Sequence, residues 1–216
     1  MAPRRYNLGK RATVVEETRR RILDAIVGLH AEKGVLGTSF DDIARRADVA
    51  LGTVQRHFPS LDDIVRACGP RIVEITRPPN PPISSGQYSL SQQIKTLVQE
   101  LFGFYERVAP WLEVGRCERK KLPVLDAGVR HLEERLEATV RESLRPSVID
   151  QRTLKIVTAL TDFYVWKSLS DRGLREEAAD LISDILLYWL RGTVVEDKDR
   201  TSSPSPTSTI TPGRTL

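Results

Sequence analysis

Residues 40–58, FDDIARRADVALGTVQRHF, bring arginine, glutamine and histidine side chains together within one short segment. Glutamine can form two hydrogen bonds with adenine in the major groove of DNA, and arginine can contact bases or phosphates. The same residue types also occur on solvated surfaces. Their meaning therefore depends on the elements that hold them.

The segment predicts two short helices, Phe40–Ala47 and about Leu51–His57, separated by a turn of about three residues, which is a helix-turn-helix. The helices must cross closely, and Ala44 and Ala47 are small enough to allow it. Asp48 can adopt the positive φ that the turn needs, although glycine adopts it more readily. The second helix would be free to lie in the major groove. The apolar residues beneath it are Ile43, Val49 and Val54.

The charge distribution is compatible with a polyanion partner but does not decide the matter. The net charge is +4, and residues 1–77 carry all of it, with 14 Lys and Arg against 10 Asp and Glu. Seven of these basic residues lie within residues 1–21, against Glu16 and Glu17. Such an arm fits a nucleic-acid partner, and it fits equally well a solvated tail.

The rest of the chain shows helical periodicity and no strand-like alternation, so the expected fold class is all-α. Ser39 is a suitable N-cap for the second helix, with Asp42 completing a capping box. Gly34 is a suitable residue to end the first helix. Further helices are predicted at about residues 14–33, 61–75, 90–107, 110–117, 124–144, 149–170 and 174–190.

Composition divides the chain into four parts. A basic arm, the helix-turn-helix and a connecting helix make up an N-terminal DNA-binding domain at residues 1–76. Four prolines mark a linker at residues 77–89, because proline cannot continue a helix. A second helical domain is expected at residues 90–192. The Ser-, Thr- and Pro-rich residues 193–216 are expected to be a disordered tail.

With these helices in place, residues 22–64 resemble the N-terminal domain of the TetR/AcrR family of transcriptional regulators without a gap. The stretch GTVQRHFPSLDDI is similar to the family's Gly-Thr-hydrophobic-Tyr-x-His-Phe-x-Ser-Lys-Glu-x-Leu signature. The family has Tyr and Lys where this chain has Gln55 and Leu61, and Gly and Ser where it has Asp48 and Ala50. We expect these differences to change the operator sequence more than DNA binding itself. The matching positions are Ile22, Leu23, Ala25, Leu29, Gly34, Thr38, Ile43, Ala44, Ala47, Val49, Gly52, Thr53, His57, Phe58, Ser60 and Ile64.

The resemblance implies which side chains contact DNA. Thr38 would lie near a phosphate at the N-terminus of the second helix. Arg45 and Arg46 point outward from that helix, and at least one of them would contact a phosphate, although Arg46 is equally well explained as a solvated charge. The exposed part of the recognition helix would carry Thr53, Gln55, Arg56 and His57, although His57 is also explained as a packed histidine stacked on a neighbouring residue.

The resemblance also implies a C-terminal domain that binds a small-molecule effector and forms a homodimer. Judged by pattern alone, its apolar faces and aromatic residues are more readily explained as intramolecular core. A two-fold dimer would present two recognition helices to a pseudo-palindromic operator on double-stranded DNA. The effector pocket is predicted at Phe104, Tyr105 and Trp111. The dimer interface is predicted at Ile156, Leu160, Phe163, Leu181, Ile185 and Trp189.

No sequence motif supports an enzyme or a metal protein. There is no glycine-rich phosphate loop, no G-x-S-x-G and no H-E-x-x-H. The three histidines are widely spaced, and Cys68 and Cys117 are isolated, so we expect no cofactor and no metal. The longest apolar run, Ile185–Leu190, has six residues, which is too short for a membrane span. The N-terminal stretch lacks the apolar segment of a secretory signal, so the expected location is the cytoplasm.

Two functional hypotheses follow. The first is a ligand-responsive transcriptional regulator, usually a repressor, that binds its operator as a dimer. The second is a helical ligand-binding or interaction module whose DNA-binding half has decayed, which the missing Tyr and Lys at Gln55 and Leu61 would favour.

Overall fold

The computed structural model describes residues 8–79, 88–144 and 150–200, with the side chains of residues 8–11 and 192–200 left out. Within these ranges the chain is helical and contains no strand, which confirms the all-α prediction. Most of the predicted linker and most of the predicted tail lie outside the described residues. The elements are α1 Leu8–Lys33, α2 Phe40–Ala47, α3 Leu51–His57, α4 Leu61–Thr76, α5 Leu90–Glu118, a 3-10 turn Arg119–Lys121, α6 Pro123–Ser143, α7 Gln151–Leu160, α8 Phe163–Ser170 and α9 Ala178–Arg200.

Helices α1 to α4 form an N-terminal unit around one apolar core. Gly34 follows α1 with φ +84°, the left-handed conformation expected at that position. The predicted bounds of α2 and α3 are those observed. The residues that α1, α2, α3 and α4 bury together include Ile22, Ile26, Ile43, Val54, Phe58 and Ile64.

The C-terminal domain is built around α5, which contacts α6, α8 and α9 and also reaches α1 and α4 of the N-terminal unit. The sequence predicted a break at Pro110, but α5 is continuous through it. Pro110 is exposed, so water can satisfy the carbonyl that loses its helical partner. Apolar residues on both sides, among them Val108 and Leu112, are buried and hold the two halves in line.

The single helix predicted at residues 149–170 is two helices, α7 and α8, with a turn at Thr161 and Asp162. The Asp162 carboxylate accepts the Tyr164 N–H at 2.8 Å and caps α8. It also accepts two hydrogen bonds from Arg116 of α5, at 3.0 and 2.9 Å. Although burial opposes ionisation, these bonds hold the pKa of Asp162 below its ordinary value. The partner is distant in sequence, so no local pattern reveals the break.

The last helix also differs from its prediction. Residues 175–177 form a turn, and α9 begins at Ala178. It continues to Arg200, beyond Thr193, where the tail was predicted to start. No described helix has the length and apolar content that crossing a bilayer requires.

Candidate nucleic-acid interface and ligand cavity

Backbone hydrogen bonds and one left-handed residue fix the turn between α2 and α3. Asp48 ends α2 with φ +50°, and its N–H donates to the Ala44 carbonyl. The Val49 N–H donates to the same carbonyl at 3.1 Å. At the start of α2, Ser39 Oγ accepts the Asp42 N–H while the Asp42 carboxylate accepts the Ser39 N–H. The predicted capping box is therefore present, and the direction in which α3 leaves the turn is set.

Helix α3 buries one face and exposes the other. Val54 anchors its inner face, fully buried. Gln55 and Arg56 are exposed, and neither side chain is hydrogen-bonded or ion-paired within the described part of the chain. Thr53 is partly buried. Nothing lies within 4 Å of the position that a Cβ would take at Gly52, so the outer face is open along the first turn.

His57 lies partly buried at the end of α3. Its ring centroid lies 6.5 Å from that of Phe58 at a tilt of 45°. Partial burial, followed by the charges of Arg56 and Arg19, lowers the pKa of His57 below its ordinary value. The imidazole is therefore neutral near pH 7 and can offer a hydrogen bond but little positive charge.

Arg45 and Arg46 are adjacent in sequence but differ in their partners. Arg46 donates two hydrogen bonds to the Glu32 carboxylate, at 2.9 and 2.6 Å, which raises its pKa. The Arg45 side chain is 77% exposed, and its contact with Asp42 is long, at 3.5 Å. A bidentate pair holds the Arg46 guanidinium in place, whereas Arg45 is free to turn toward a phosphate. Arg45 is therefore the better candidate.

Thr38 lies just before the capping residue of α2, where the resemblance places it. Its hydroxyl donates to the Gly34 carbonyl at 2.7 Å, so its only hydroxyl hydrogen is already used. The nearby Asp42 carboxylate, which would repel a phosphate, is paired with Lys33 at 2.6 Å. Contact of Thr38 with a phosphate would require the bond to Gly34 to be exchanged.

Arg19 supports the recognition helix from α1, a role that its position in the basic arm does not indicate. Its guanidinium stacks on the Phe58 ring, 4.5 Å from the centroid, and donates to the His57 carbonyl at 3.2 Å. Carbonyls at a helix C-terminus lack helical partners, so this bond completes the end of α3. Arg19 and His57 are 38 residues apart, which explains why sequence pattern alone misses the pair.

A cavity of about 630 Å³ lies between α4, α5, α6 and the end of α1. Its volume is within the range usual for small-molecule sites, and half of its lining residues are Val, Leu and Ile. Trp111, one of the three residues predicted for an effector pocket, lines this cavity and donates its indole N–H to the Val27 carbonyl at 2.9 Å. Within the part of the chain that the structure describes, no group of three or more His, Cys, Asp or Glu side chains could hold a metal ion.

The other two predicted cavity residues, Phe104 and Tyr105, do not line this cavity. Both are buried in the core of the C-terminal domain. The Tyr105 hydroxyl donates to the Thr161 carbonyl at 3.0 Å, and burial raises its pKa. Tyr105 packs against Phe163 and Trp166 of α8, and Phe104 packs against Tyr105, so both belong to this core and not to the cavity wall.

Two uncharged polar side chains meet in the cavity wall, His30 of α1 and Cys68 of α4. The distance from His30 Nδ1 to Cys68 Sγ is 3.8 Å. Burial lowers the pKa of His30 to about 4 and raises that of Cys68 to about 12. His30 Nε2 has no hydrogen-bond partner. The sequence placed His30 only at the edge of the core, because the wall is formed by helices far apart in the chain.

Helix α5, which forms one wall of the cavity, is hydrogen-bonded to the N-terminal unit near the ends of α1 and α4. The Glu118 carboxylate accepts the N–H groups of Val35 and Leu36 at 3.0 and 3.1 Å. Arg107 donates to the Thr76 carbonyl at 2.8 Å. The cavity and the DNA-binding unit therefore share both packing and hydrogen bonds.

Helix α9 packs against α5, α7 and α8 and exposes an apolar face. Leu181 and Ile185 are exposed, as a predicted interface requires, and Trp189 is partly buried. Tyr188, which was not predicted, is the most exposed of them at 85%. On α7, the predicted Ile156 and Leu160 are partly buried.

Phe163 is a correction to the predicted interface. It is fully buried and packs edge-on against Tyr105, with ring centroids 5.6 Å apart. It therefore has no surface left for a partner chain. The capping turn at Asp162 rotates the first residue of α8 inward, and the exposed aromatic is the next residue, Tyr164.

Comparison with protein families gives one match, to the bacterial regulatory proteins of the tetR family, over residues 22–68. An uncharacterised HTH-type transcriptional regulator in the dhlA 5′ region of Xanthobacter autotrophicus is 24% identical over 172 residues, which span 77% of this chain and 85% of that protein. The HTH-type transcriptional repressor KstR of Rhodococcus jostii (strain RHA1) is 47% identical over 45 residues, 21% of each chain.

Solved structures share the fold. The multidrug binding protein EbrR, crystallised with imidazole, matches with a TM-score of 0.58 at 23% identity, covering 85% of this chain and 96% of that one. HlyIIR, a hemolysin II transcriptional regulator, matches with a TM-score of 0.52 at 18% identity, covering 78% and 98%. The similarity in sequence is strongest where α1 to α4 build the helix-turn-helix.

Proposed function

We propose that this chain, whose residues 22–68 match the tetR family of bacterial regulatory proteins, is a ligand-responsive repressor that binds a pseudo-palindromic operator as a homodimer. The observation that carries the proposal is the outer face of α3. Gln55 and Arg56 are exposed and uncommitted there, on a helix whose other face is anchored in the core. Side chains held in this way can enter a major groove while the inner face of α3 stays packed in the core.

The exposed apolar face of α9 supports a dimer. Leu181, Ile185 and Tyr188 follow one another at helical spacing and have no partner surface within the described chain. A two-fold axis through this face would make the same patch meet itself. It would also present two copies of α3 to two half-sites of one operator.

The cavity supports a response to a small molecule. A ligand between α4, α5 and α6 would shift α4, which begins just after the recognition helix, and so change the separation of the two α3 helices. Repression would then be relieved by the ligand that fills the cavity. A repressor of this kind acts on the chromosome, so we place the protein in the cytoplasm.

The test is to select, from fragmented genomic DNA, the fragments that the protein binds. The selection is made at about 150 mM salt, where the screening of charges is close to physiological. We expect one pseudo-palindromic sequence to be enriched. A protein carrying Gln55→Ala and Arg56→Ala should lose that enrichment, because each bidentate base contact contributes about 1–3 kcal/mol of discrimination. Light scattering and circular dichroism establish that the variant remains a folded dimer.

The opposite result would favour the second hypothesis, a helical module with a decayed DNA-binding half. A folded dimer would then bind DNA weakly, with strong dependence on salt and no preferred sequence. Since a bound effector would give a similar result, the selection is repeated after the protein has been unfolded, stripped and refolded.

A further inference from the structure

We propose that the cavity binds an apolar organic anion: a carboxylate on an alkyl or alicyclic body. The inference rests on the proposed ligand response and adds the chemical class of the ligand. It depends on which side chains line the cavity and on which of them already have partners.

The lining is mainly apolar, and every charged side chain in it is basic. The described residues that line the cavity include no Asp and no Glu. The basic and titratable nitrogen-bearing side chains among them are His30, Arg66, His131 and Arg135. A cationic ligand would find no carboxylate there, and burying an unpaired charge is costly.

Arg135 is the least committed of the basic groups. It is exposed, and no described carboxylate pairs with it. Its neighbours one turn away on α6 are His131 and Thr139, neither of which carries a negative charge at neutral pH. An arginine in this state can take a carboxylate in a bidentate pair without breaking an existing one.

Arg66 faces the same cavity from α4. Its contacts with Asp62 and Asp63 are long, at 3.4 and 3.6 Å, and its side chain is 61% exposed. Exposed pairs of this kind are weak, so a ligand carboxylate can replace them. Helices α4 and α6 therefore each contribute one available guanidinium to the lining.

His30 supplies a further polar contact in the wall formed by the DNA-binding unit. It is 97% buried, since 3% of its surface is exposed, and its Nε2 has no hydrogen-bond partner. A ligand oxygen at this point would satisfy an atom that the protein leaves unpaired. It would also contact α1 directly.

The test uses three probes with the same alkyl chain: decanoate, decanol and decylammonium. Binding to the full-length protein is measured by calorimetry without DNA. We expect decanoate to bind at least about tenfold more tightly than decylammonium, because only the carboxylate complements the arginines. Arg135→Gln should weaken decanoate binding about fivefold, the size of a partly exposed ion pair, and leave decanol binding unchanged.

Two variants serve as controls. Arg141→Gln removes an arginine from the same helix, where it pairs with Glu137 at 2.7 Å outside the cavity, and should change nothing. Gly128→Leu should abolish binding of all three probes. Gly128 lines the cavity with nothing within 4 Å of its Cβ position, so leucine fits there, and it favours the helix.

The ligand class is overturned if decylammonium or decanol binds as tightly as decanoate, if none of the probes binds, or if Arg135→Gln weakens decanol equally. Release of operator DNA is measured separately by fluorescence anisotropy. Decanoate binding without release supports the ligand class and contradicts the ligand-responsive repressor. Release of operator DNA by decylammonium alone contradicts the ligand class and supports the ligand-responsive repressor.

Discussion

Replacing Arg45 with glutamine is expected to weaken operator binding, whereas replacing Arg46 is not. Arg46 is held by two hydrogen bonds to Glu32, while Arg45 is exposed and weakly paired. The slope of log affinity against log salt concentration should fall by about 0.9 for each phosphate contact that Arg45→Gln removes. Arg46→Gln should leave the slope unchanged. Equal slopes for the two variants would mean that the Glu32 pair does not keep Arg46 from DNA.

His30 is expected to make the folded protein less stable as the pH falls. Its pKa is about 4 in the folded chain and about 6.5 in the unfolded chain, so between these values the unfolded chain binds a proton that the folded chain does not. Stability should therefore decrease by about 2 kcal/mol between pH 7 and pH 5, before most carboxylates titrate. Urea unfolding of wild type and His30→Gln at both pH values checks this. A loss of the same size in His30→Gln would assign the effect to another group.

Helix α3 lacks the side-chain N-cap hydrogen bond that α4 has. Ala50 occupies the N-cap of α3 and makes no side-chain hydrogen bond, whereas Ser60 accepts the Asp63 N–H at the start of α4. Ala50→Ser should therefore raise the free energy of unfolding by about 1 kcal/mol, and Ser60→Ala should lower it by a similar amount. Denaturant unfolding of both variants tests the pair. If Ala50→Ser has no effect, tertiary packing already holds the first turn of α3.

Local signals predicted some elements well and failed at others for one physical reason. The bounds of α2 and α3 follow from Ser39, Asp42, Asp48 and the apolar spacing, all of which act within a few residues. The continuity of α5 through Pro110 and the break at Asp162 depend on partners on other helices. The same holds for the site: the exposed Gln55 was predictable, but the support from Arg19 was not.

Helix α5 joins the cavity to the N-terminal helical unit. Its Trp111 and Glu118 hydrogen-bond to backbone atoms of Val27, Val35 and Leu36. Because Trp111 also lines the cavity, a ligand that moves α5 must also strain or release these bonds. The spacing of the aromatic residues on α5 did not reveal which of them face which domain. Trp111 packs against the core of the N-terminal unit, whereas Phe104 and Tyr105 are buried in the core of the C-terminal domain.

Ile185→Asp is expected to convert the proposed homodimer into monomers. Ile185 is 44% exposed and lies between Leu181 and Tyr188 on the apolar face of α9. A carboxylate buried at a two-fold interface would meet its own copy, so dimerisation should weaken by at least about 3 kcal/mol, or more than a hundredfold. Sedimentation equilibrium measures this directly, and affinity for a full operator should fall toward that for a half-site. Ile75→Asp, at an apolar residue of α4 that is similarly exposed, is the matched control and should remain dimeric. If Ile185→Asp also remains dimeric, the protein pairs through another surface, and the spacing of its recognition helices must be set there.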